Sequence, residues 1–311
     1  MLTVDFYFES SDERTTIHGV KFLPDNGEYK ACIQIVHGMT EHIMRYKDFA
    51  EFLTNYGIMV IGHDQLGHGD SIVSKEDYGF FADNNPGNVL IRDIHMVRKY
   101  ASAELRDVPY FMFGHSMGSY LLRRYLSSHG DGLAGAIIMG TGYVDKFRCR
   151  SGLVLIKKLI KEYGGHYRSN LCQALTFSGS YLKYDMSGKD VTRNFCTKDV
   201  DIVKLHMADE KSNFQFTVNG FYGLVSTVLF TETEKYIDLI PKDLPMILVS
   251  GDMDPVGDMG KGVRKVYDLY NSAGIKDLKM TLYEADRHEL LFELDREKVY
   301  DDLLEWIFNH I

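Results

Sequence analysis

The chain has 311 residues, 45% apolar and 25% charged, with a formal net charge of −9. That is enough apolar material for a large core in an ordinary water-compatible composition, and no Lys/Arg-rich block breaks the acidic balance, which argues against a nucleic-acid partner. The opening MLTVDFYFESSDERTT lacks the basic and apolar regions of a secretory signal, and no apolar run reaches the ~18 residues of a membrane span, so a cytoplasmic protein is expected.

Residues 3–9 and 14–22 alternate around SSDER and predict an antiparallel hairpin. ACIQIVHG (31–38) reads as a buried strand, RYKDFAEFLTNYG (45–57) as an amphipathic helix closed by Gly57, and IMVIGHD (58–64) as the next strand. A helix over 88–105, a strand over 109–114, a helix stopped by Gly130 and a strand over 133–142 follow. From 143 to 235 the chain is helical, aromatic and basic in patches, without clear strands; the alternation resumes with LPMILVSGD (244–252), a helix near 261–273, the strand 278–285 and a last helix from about 296. Short apolar runs alternating with helices predict an α/β architecture, a mostly parallel sheet covered on both faces. Residues 1–142 and 236–311 are expected to form this core, with 143–235 inserted as a helical segment. Cys32, Cys149, Cys172 and Cys196 show no CxxC spacing and are expected to be reduced, mostly buried thiols.

At GHSMG, Gly114 to Gly118, a strand pattern runs straight into a helix pattern. Such a corner presents its serine at the carboxyl edge of the sheet. The glycines keep side chains out where neighbours pass close, and the helix dipole and the Met117 N–H face the place where an oxyanion would form. Ser116 is therefore a candidate nucleophile, with a plain Gly-rich turn as the alternative. A serine needs a base and the base an orienting acid, in the chain order Ser, Asp/Glu, His. Of the two histidines beyond 235, His310 ends the last helix and reads as a surface residue, whereas His288 leaves a sheet strand in ADRHELLFE and is the candidate base. VSGDMDPVGD offers three acids: Asp252 close to the strand end, Asp258 placed to cap the next helix, and Asp254 between them with the reach to meet a histidine. The Met39 N–H, after the strand ending in His37-Gly38, is the second oxyanion donor. His37, His42, His63, Asp64, His68 and Asp70 crowd the neighbouring loops, but their spacings fit no zinc motif, so no metal and no organic cofactor is expected.

Together these residues resemble the α/β-hydrolase fold and, within it, the monoglyceride lipase and lysophospholipase-like serine hydrolases. HGMTEHIMRY matches that family's HGxxEHxxRY through His37, Gly38, Glu41, His42, Arg45 and Tyr46; GHDQLGHGDS, FGHSMGS, SGDMDPVG and HELLFE resemble its further loops in order. The resemblance implies Ser116 as nucleophile, Asp254 as acid, His288 as base and the Met39 and Met117 N–H groups as oxyanion hole. Gln65 departs from the arginine usual in relatives, which bears on loop packing more than on catalysis. The inserted segment would be a cap (lid) whose Phe177, Tyr181, Tyr184, Phe195, Phe214, Phe216, Phe221, Tyr222 and Phe230 either wall an acyl-chain tunnel or make the cap's own small core; FYGLVSTVLF (221–230) would be a pocket wall or a membrane-touching face, with plain core as the alternative. The implied activity is hydrolysis of lipid-like monoesters, as in a monoacylglycerol lipase, on a small ester substrate with an acyl chain. Lysophospholipase, general carboxylesterase and aminopeptidase of the same fold are the alternatives; a non-catalytic binding protein would have little use for the complete set. Lys157, Lys158 and Lys161 read as one solvated helix face, not a phosphate site. Peripheral lipid contact through the cap stays open, and head group, chain length and oligomeric state are not legible.

Overall fold

The computed structural model describes residues 1–105 and 107–311. Its strands are β1 (Leu2–Glu9), β2 (Thr16–Leu23), β3 (Ala31–Val36), β4 (Ile58–His63), β5 (Tyr110–His115), β6 (Gly135–Met139), β7 (Met246–Gly251) and β8 (Leu278–Tyr283). The helices are α1 (Lys47–Thr54), α2 (Pro86–Glu104), α3 (Met117–His129), α4 (Lys146–Tyr163), α5 (Asn170–Thr176), α6 (Val200–Ala208), α7 (Val218–Thr231), α8 (Glu234–Ile237), α9 (Lys261–Ser272) and α10 (Arg296–Phe308). The strands form one sheet in the order β1-β2-β4-β3-β5-β6-β7-β8. As the alternation predicts, β3 to β8 pair in parallel, while β1 pairs antiparallel with β2 from Leu2↔Leu23 to Glu9↔Thr16, and β2 antiparallel with β4.

β3 to β7 are buried along their whole length, because successive side chains enter two different cores. Tyr110 and Met112 pack with Ile94, Leu122 and Val266 from α2, α3 and α9. Phe111 and Phe113, their neighbours in sequence, pack with Phe49, Leu303 and Trp306 from α1 and α10. Between β6 and β7 the described residues form helices and no strand; α4 is capped by the Asp145 carboxylate, which accepts from the Phe147 N–H at 2.8 Å. No described helix is long and apolar enough to cross a membrane. Cys32, Cys149 and Cys172 are buried and all four cysteines are free thiols.

β3 lies between β4 and β5, so the chain order reverses direction across the sheet at β3. Loops leaving neighbouring strands there diverge and open a crevice at their carboxyl ends. The segments after β3, β5, β7 and β8 carry Met39, Ser116, Asp254 and His288 to that edge.

Candidate active site

Ser116 stands at the corner with φ 53° and ψ −121°, a backbone conformation that costs a non-glycine residue about 1–3 kcal/mol. The close approaches expected of the flanking glycines are present. A Cβ on Gly118 would stand 1.9 Å from the Val36 carbonyl oxygen, and one on Gly38 would stand 2.9 Å from the Ser116 Cβ. The loop after β3 is thus pressed directly onto the serine corner. Met117 is the first residue of α3, so its N–H lacks an intrahelical acceptor.

Asp254 is fully buried and fixed on both oxygens: Oδ1 accepts from the Val256 N–H at 2.8 Å, and Oδ2 from the Ser250 hydroxyl at 3.0 Å and from His288 Nδ1 at 3.0 Å. A carboxylate only accepts, so His288 carries its proton on Nδ1 and leaves Nε2 basic. Ser116, His288, Met39 and Met117 line one cavity of about 1080 Å³. Among the described residues the Ser116 hydroxyl makes no hydrogen bond to the imidazole, a link that often closes only with substrate present.

The histidine loop is held from two sides. The Asp252 carboxylate accepts from the Ala285 N–H at 2.8 Å, and the Met253 N–H donates to the Asp286 carbonyl at 2.9 Å, zipping the acid loop to it. From the 143–235 segment, the Phe195 and Cys196 carbonyls accept the His288 and Glu289 N–H groups at 3.3 and 2.7 Å. Lys198 pairs with Asp286 at 2.5 Å.

A buried charge network underlies the corner, and sequence reasoning placed its members only as a motif match. The Glu41 carboxylate accepts from the Gly38 N–H at 3.1 Å, the Tyr46 hydroxyl at 2.5 Å and His115 Nδ1 at 2.8 Å. His115 Nε2 faces the His288 carbonyl at 3.2 Å, so both ring nitrogens meet acceptors, an arrangement that favours the doubly protonated, charged ring. Burial works against that charge, but Glu41 more than offsets it and raises the His115 pKa. Burial would likewise raise Glu289, yet the Arg45 guanidinium, paired with it at 3.0 and 2.8 Å, brings its carboxyl down to about 2. Arg45 and Glu289, far apart in sequence, are joined only by the fold.

Two local readings are corrected. Asp258 does not cap α9, whose N-cap is Gly260 without a side-chain bond; its carboxylate accepts from the Ser180 hydroxyl at 2.5 Å instead. His310 is half-buried, with Nδ1 on the Trp306 carbonyl at 2.6 Å and Nε2 on Asp277 at 3.0 Å. Of the aromatic residues singled out, Phe177, Tyr181, Phe195, Phe214 and Phe221 line the cavity, whereas Phe216 is fully buried in the main core. The stretch 221–230 faces inward, contributing Phe221, Leu224, Val225 and Val228 to the cavity wall, and none of it is exposed.

In the histidine-rich loops, His37 and His42 join separate segments. His37 Nε2 accepts the Gln65 N–H at 2.8 Å, tying the loops after β3 and β4 together, and His42 pairs with Asp209 at 2.8 Å. Gln65 is buried with neither side-chain oxygen nor nitrogen hydrogen-bonded among the described residues, and His63 likewise. Three possible ligand groups converge within 4.8 Å, those of His18, Asp64 and Asp70. However, Lys211 already sits on Asp70 at 2.6 Å, and His18 already bridges Asp64 and Asp5 at 2.8 and 2.9 Å.

Residues 27–295 match the family described as serine aminopeptidase, S33 (Hydrolase_4). The chain belongs to this family. A monoglyceride lipase of Homo sapiens is 27% identical over 296 residues, covering 92% of this chain and 85% of that protein. An uncharacterized abhydrolase domain-containing protein of Dictyostelium discoideum is 28% identical over 288 residues, which is 90% of this chain but 26% of that much longer protein. A thermostable carboxyl esterase from Bacillus coagulans, solved in complex with glycerol, superposes with a TM-score of 0.88 at 28% identity over 100% of this chain and 99% of that one. This α/β-hydrolase is accordingly a serine ester hydrolase related to the monoglyceride lipases.

Proposed function

We propose that this α/β-hydrolase cleaves lipid-like monoesters through Ser116, His288 and Asp254, with 143–235 acting as a cap over the site. Ser116 Oγ attacks the acyl carbonyl carbon while His288 Nε2 takes its proton. The Met39 and Met117 N–H groups stabilise the oxyanion, and Asp254 steadies the imidazolium. The imidazolium then protonates the leaving alcohol, and a water activated by the same nitrogen releases the carboxylic acid from the acyl-enzyme. One observation carries this reading: the strained serine and the Asp254-bound His288 open on the same large cavity, whose far walls are the apolar and aromatic residues of α4, α5 and α7.

Lipid contact fits the outer surface of the cap. Val154 on α4 and Leu171 on α5 are exposed and stand outside the cavity lining, while Phe147, 78% exposed, and Leu175 are exposed and also line the cavity. Lys157, Lys158 and Lys161 share the exposed face of α4 and do not line the cavity, as expected of a solvated face.

The test is one panel after fluorophosphonate labelling of wild type and Ser116→Ala. Only wild type should label, and the variant should lose kcat by on the order of 10⁴–10⁶-fold while folding normally. Each buried methylene is worth about 0.8 kcal/mol, so kcat/KM should climb several-fold per carbon until the cavity fills. Medium- and long-chain monoacylglycerols should exceed acetate esters by at least about 100-fold, with the matching lysophosphatidylcholines poorer. A flat chain-length profile leaves a general carboxylesterase; preferred cleavage of an aminoacyl amide leaves a peptidase.

A further inference from the structure

Seven residues beyond the serine, two turns along the same helix, Arg123 extends a side chain with no exposed surface. Its guanidinium reaches five acceptors. Nε donates to the Tyr270 hydroxyl at 3.0 Å, Nη1 to the Thr141 hydroxyl at 3.2 Å and the Gly142 carbonyl at 3.0 Å, and Nη2 to the Thr231 carbonyl at 3.5 Å and the Glu232 carboxylate at 3.1 Å. Thr141 and Gly142 are where the chain leaves β6 for the cap. Thr231 and Glu232 are where α7 ends and the chain turns back toward the core. One planar fork on the nucleophile helix therefore holds both crossings.

The entry crossing also touches the catalytic loops. A Cβ on Gly142 would stand 2.1 Å from the Val256 carbonyl oxygen, in the residue whose N–H holds Asp254, and 3.2 Å from the Tyr120 hydroxyl. Tyr120 lines the cavity one turn nearer the serine, and the guanidinium lies 5.3 Å from its ring centre. Sealing an ion pair from water gains little over an apolar pair of the same shape, so stability does not account for this one. Geometry does. An arginine is the side chain whose five fixed donors can bridge two backbone segments at once, which a lysine ammonium on a flexible stem does not reproduce.

We propose that Arg123 is a positioning residue: by clamping both crossings it fixes the seat of the cap over Ser116 and thereby favours esters whose acyl group the cap must enclose. The kinetic part rests on the ester-hydrolase reading; the structural part does not.

Two variants test it. Arg123→Lys keeps a cation for Glu232 but gives up the fork, and Arg123→Met/Glu232→Leu keeps the shape without stranding a charge. In both, amides of α4 and α7 should exchange with deuterium at least about 10-fold faster while those of β5 to β7 stay as in wild type. For a long-chain monoacylglycerol, kcat/KM should fall at least about 10-fold further than kcat/KM for p-nitrophenyl acetate, mainly through KM. Unchanged exchange in the cap, or a long-chain loss no larger than the acetate loss, overturns the proposal. If wild type cleaves neither ester, the substrate reading fails, and the exchange measurement alone decides the clamp.

Discussion

Asp252, Asp254 and Asp258 share one loop, and their partners separate them. Asp254 meets the imidazole, Asp252 holds the Ala285 N–H, and Asp258 faces the 143–235 segment through Ser180. An acid that orients a base acts as a unit with serine and histidine, so Asp254→Asn should lower kcat by roughly 10³–10⁴-fold with the circular dichroism spectrum unchanged. Asp252→Asn and Asp258→Asn should stay within about 10-fold, their effects running through loop order; a larger loss at either, in folded protein, moves the assignment there. At this scale the sequence is legible where chemistry is tied to chain position, as with a serine between two glycines at a strand-to-helix junction. It is not legible where a partner is chosen by the fold. Glu41 and His115, or Arg45 and Glu289, meet only because separate loops converge at one edge of the sheet. Asp258 and His310 depart from expectation for a related reason: Ser180 and Asp277, remote in sequence, draw their side chains in, although His310 also keeps a partner in its own helix, the Trp306 carbonyl.

Periodicity makes the elements of the core legible, since strands buried on both faces read as continuous apolar runs between amphipathic helices. The cap is harder. α7 is apolar nearly all round, a pattern shared by a buried helix and a membrane-facing one, and only the packing of Phe221 and Val228 decides for burial. One element carries a pH dependence that no pattern announces. His18 on β2 bonds to Asp5 on β1 and to Asp64 after β4, fastening the edge hairpin to the sheet. The Asp64 hydrogen bond, opposed by burial and helped by Asp5, lifts the His18 pKa from 6.5 to about 9. A folded-state pKa above the ordinary value means that the stabilisation is complete below pH 6.5 and is lost as pH rises through about 9. The melting temperature should therefore fall between these limits by more in wild type than in His18→Asn. Faster exchange of β1 and β2 amides should accompany the fall, and equal slopes for the two proteins would remove His18 as its cause.

Across the whole molecule, charge is unevenly distributed. The chain carries a net −9, yet α4 bears Lys146, Arg148, Arg150, Lys157, Lys158 and Lys161 against Glu162 alone. Its outer face sets Phe147 and Val154, seven residues apart and so on one side of the helix, between Arg150, Lys157 and Lys161 on one flank and Lys158 on the other. Aromatic and aliphatic groups on the midline with cations beside them suit an anionic lipid interface, where each basic residue near the surface contributes about 1 kcal/mol. If 143–235 is the cap proposed above, an acidic body behind it would orient the protein with its cavity toward the membrane. Vesicles containing phosphatidylserine should therefore bind the protein more tightly than pure phosphatidylcholine vesicles, with the difference shrinking as added salt shortens the screening length. Lys157→Gln/Lys158→Gln should weaken that binding by about 10–30-fold. Val154→Asp, on the outer face and outside the cavity lining, should weaken it on both vesicle types, while cleavage of p-nitrophenyl acetate in solution is untouched by either change. Equal binding to anionic and neutral vesicles would assign the contact to the apolar midline alone, and no binding to either would leave the substrate to reach the cavity from solution.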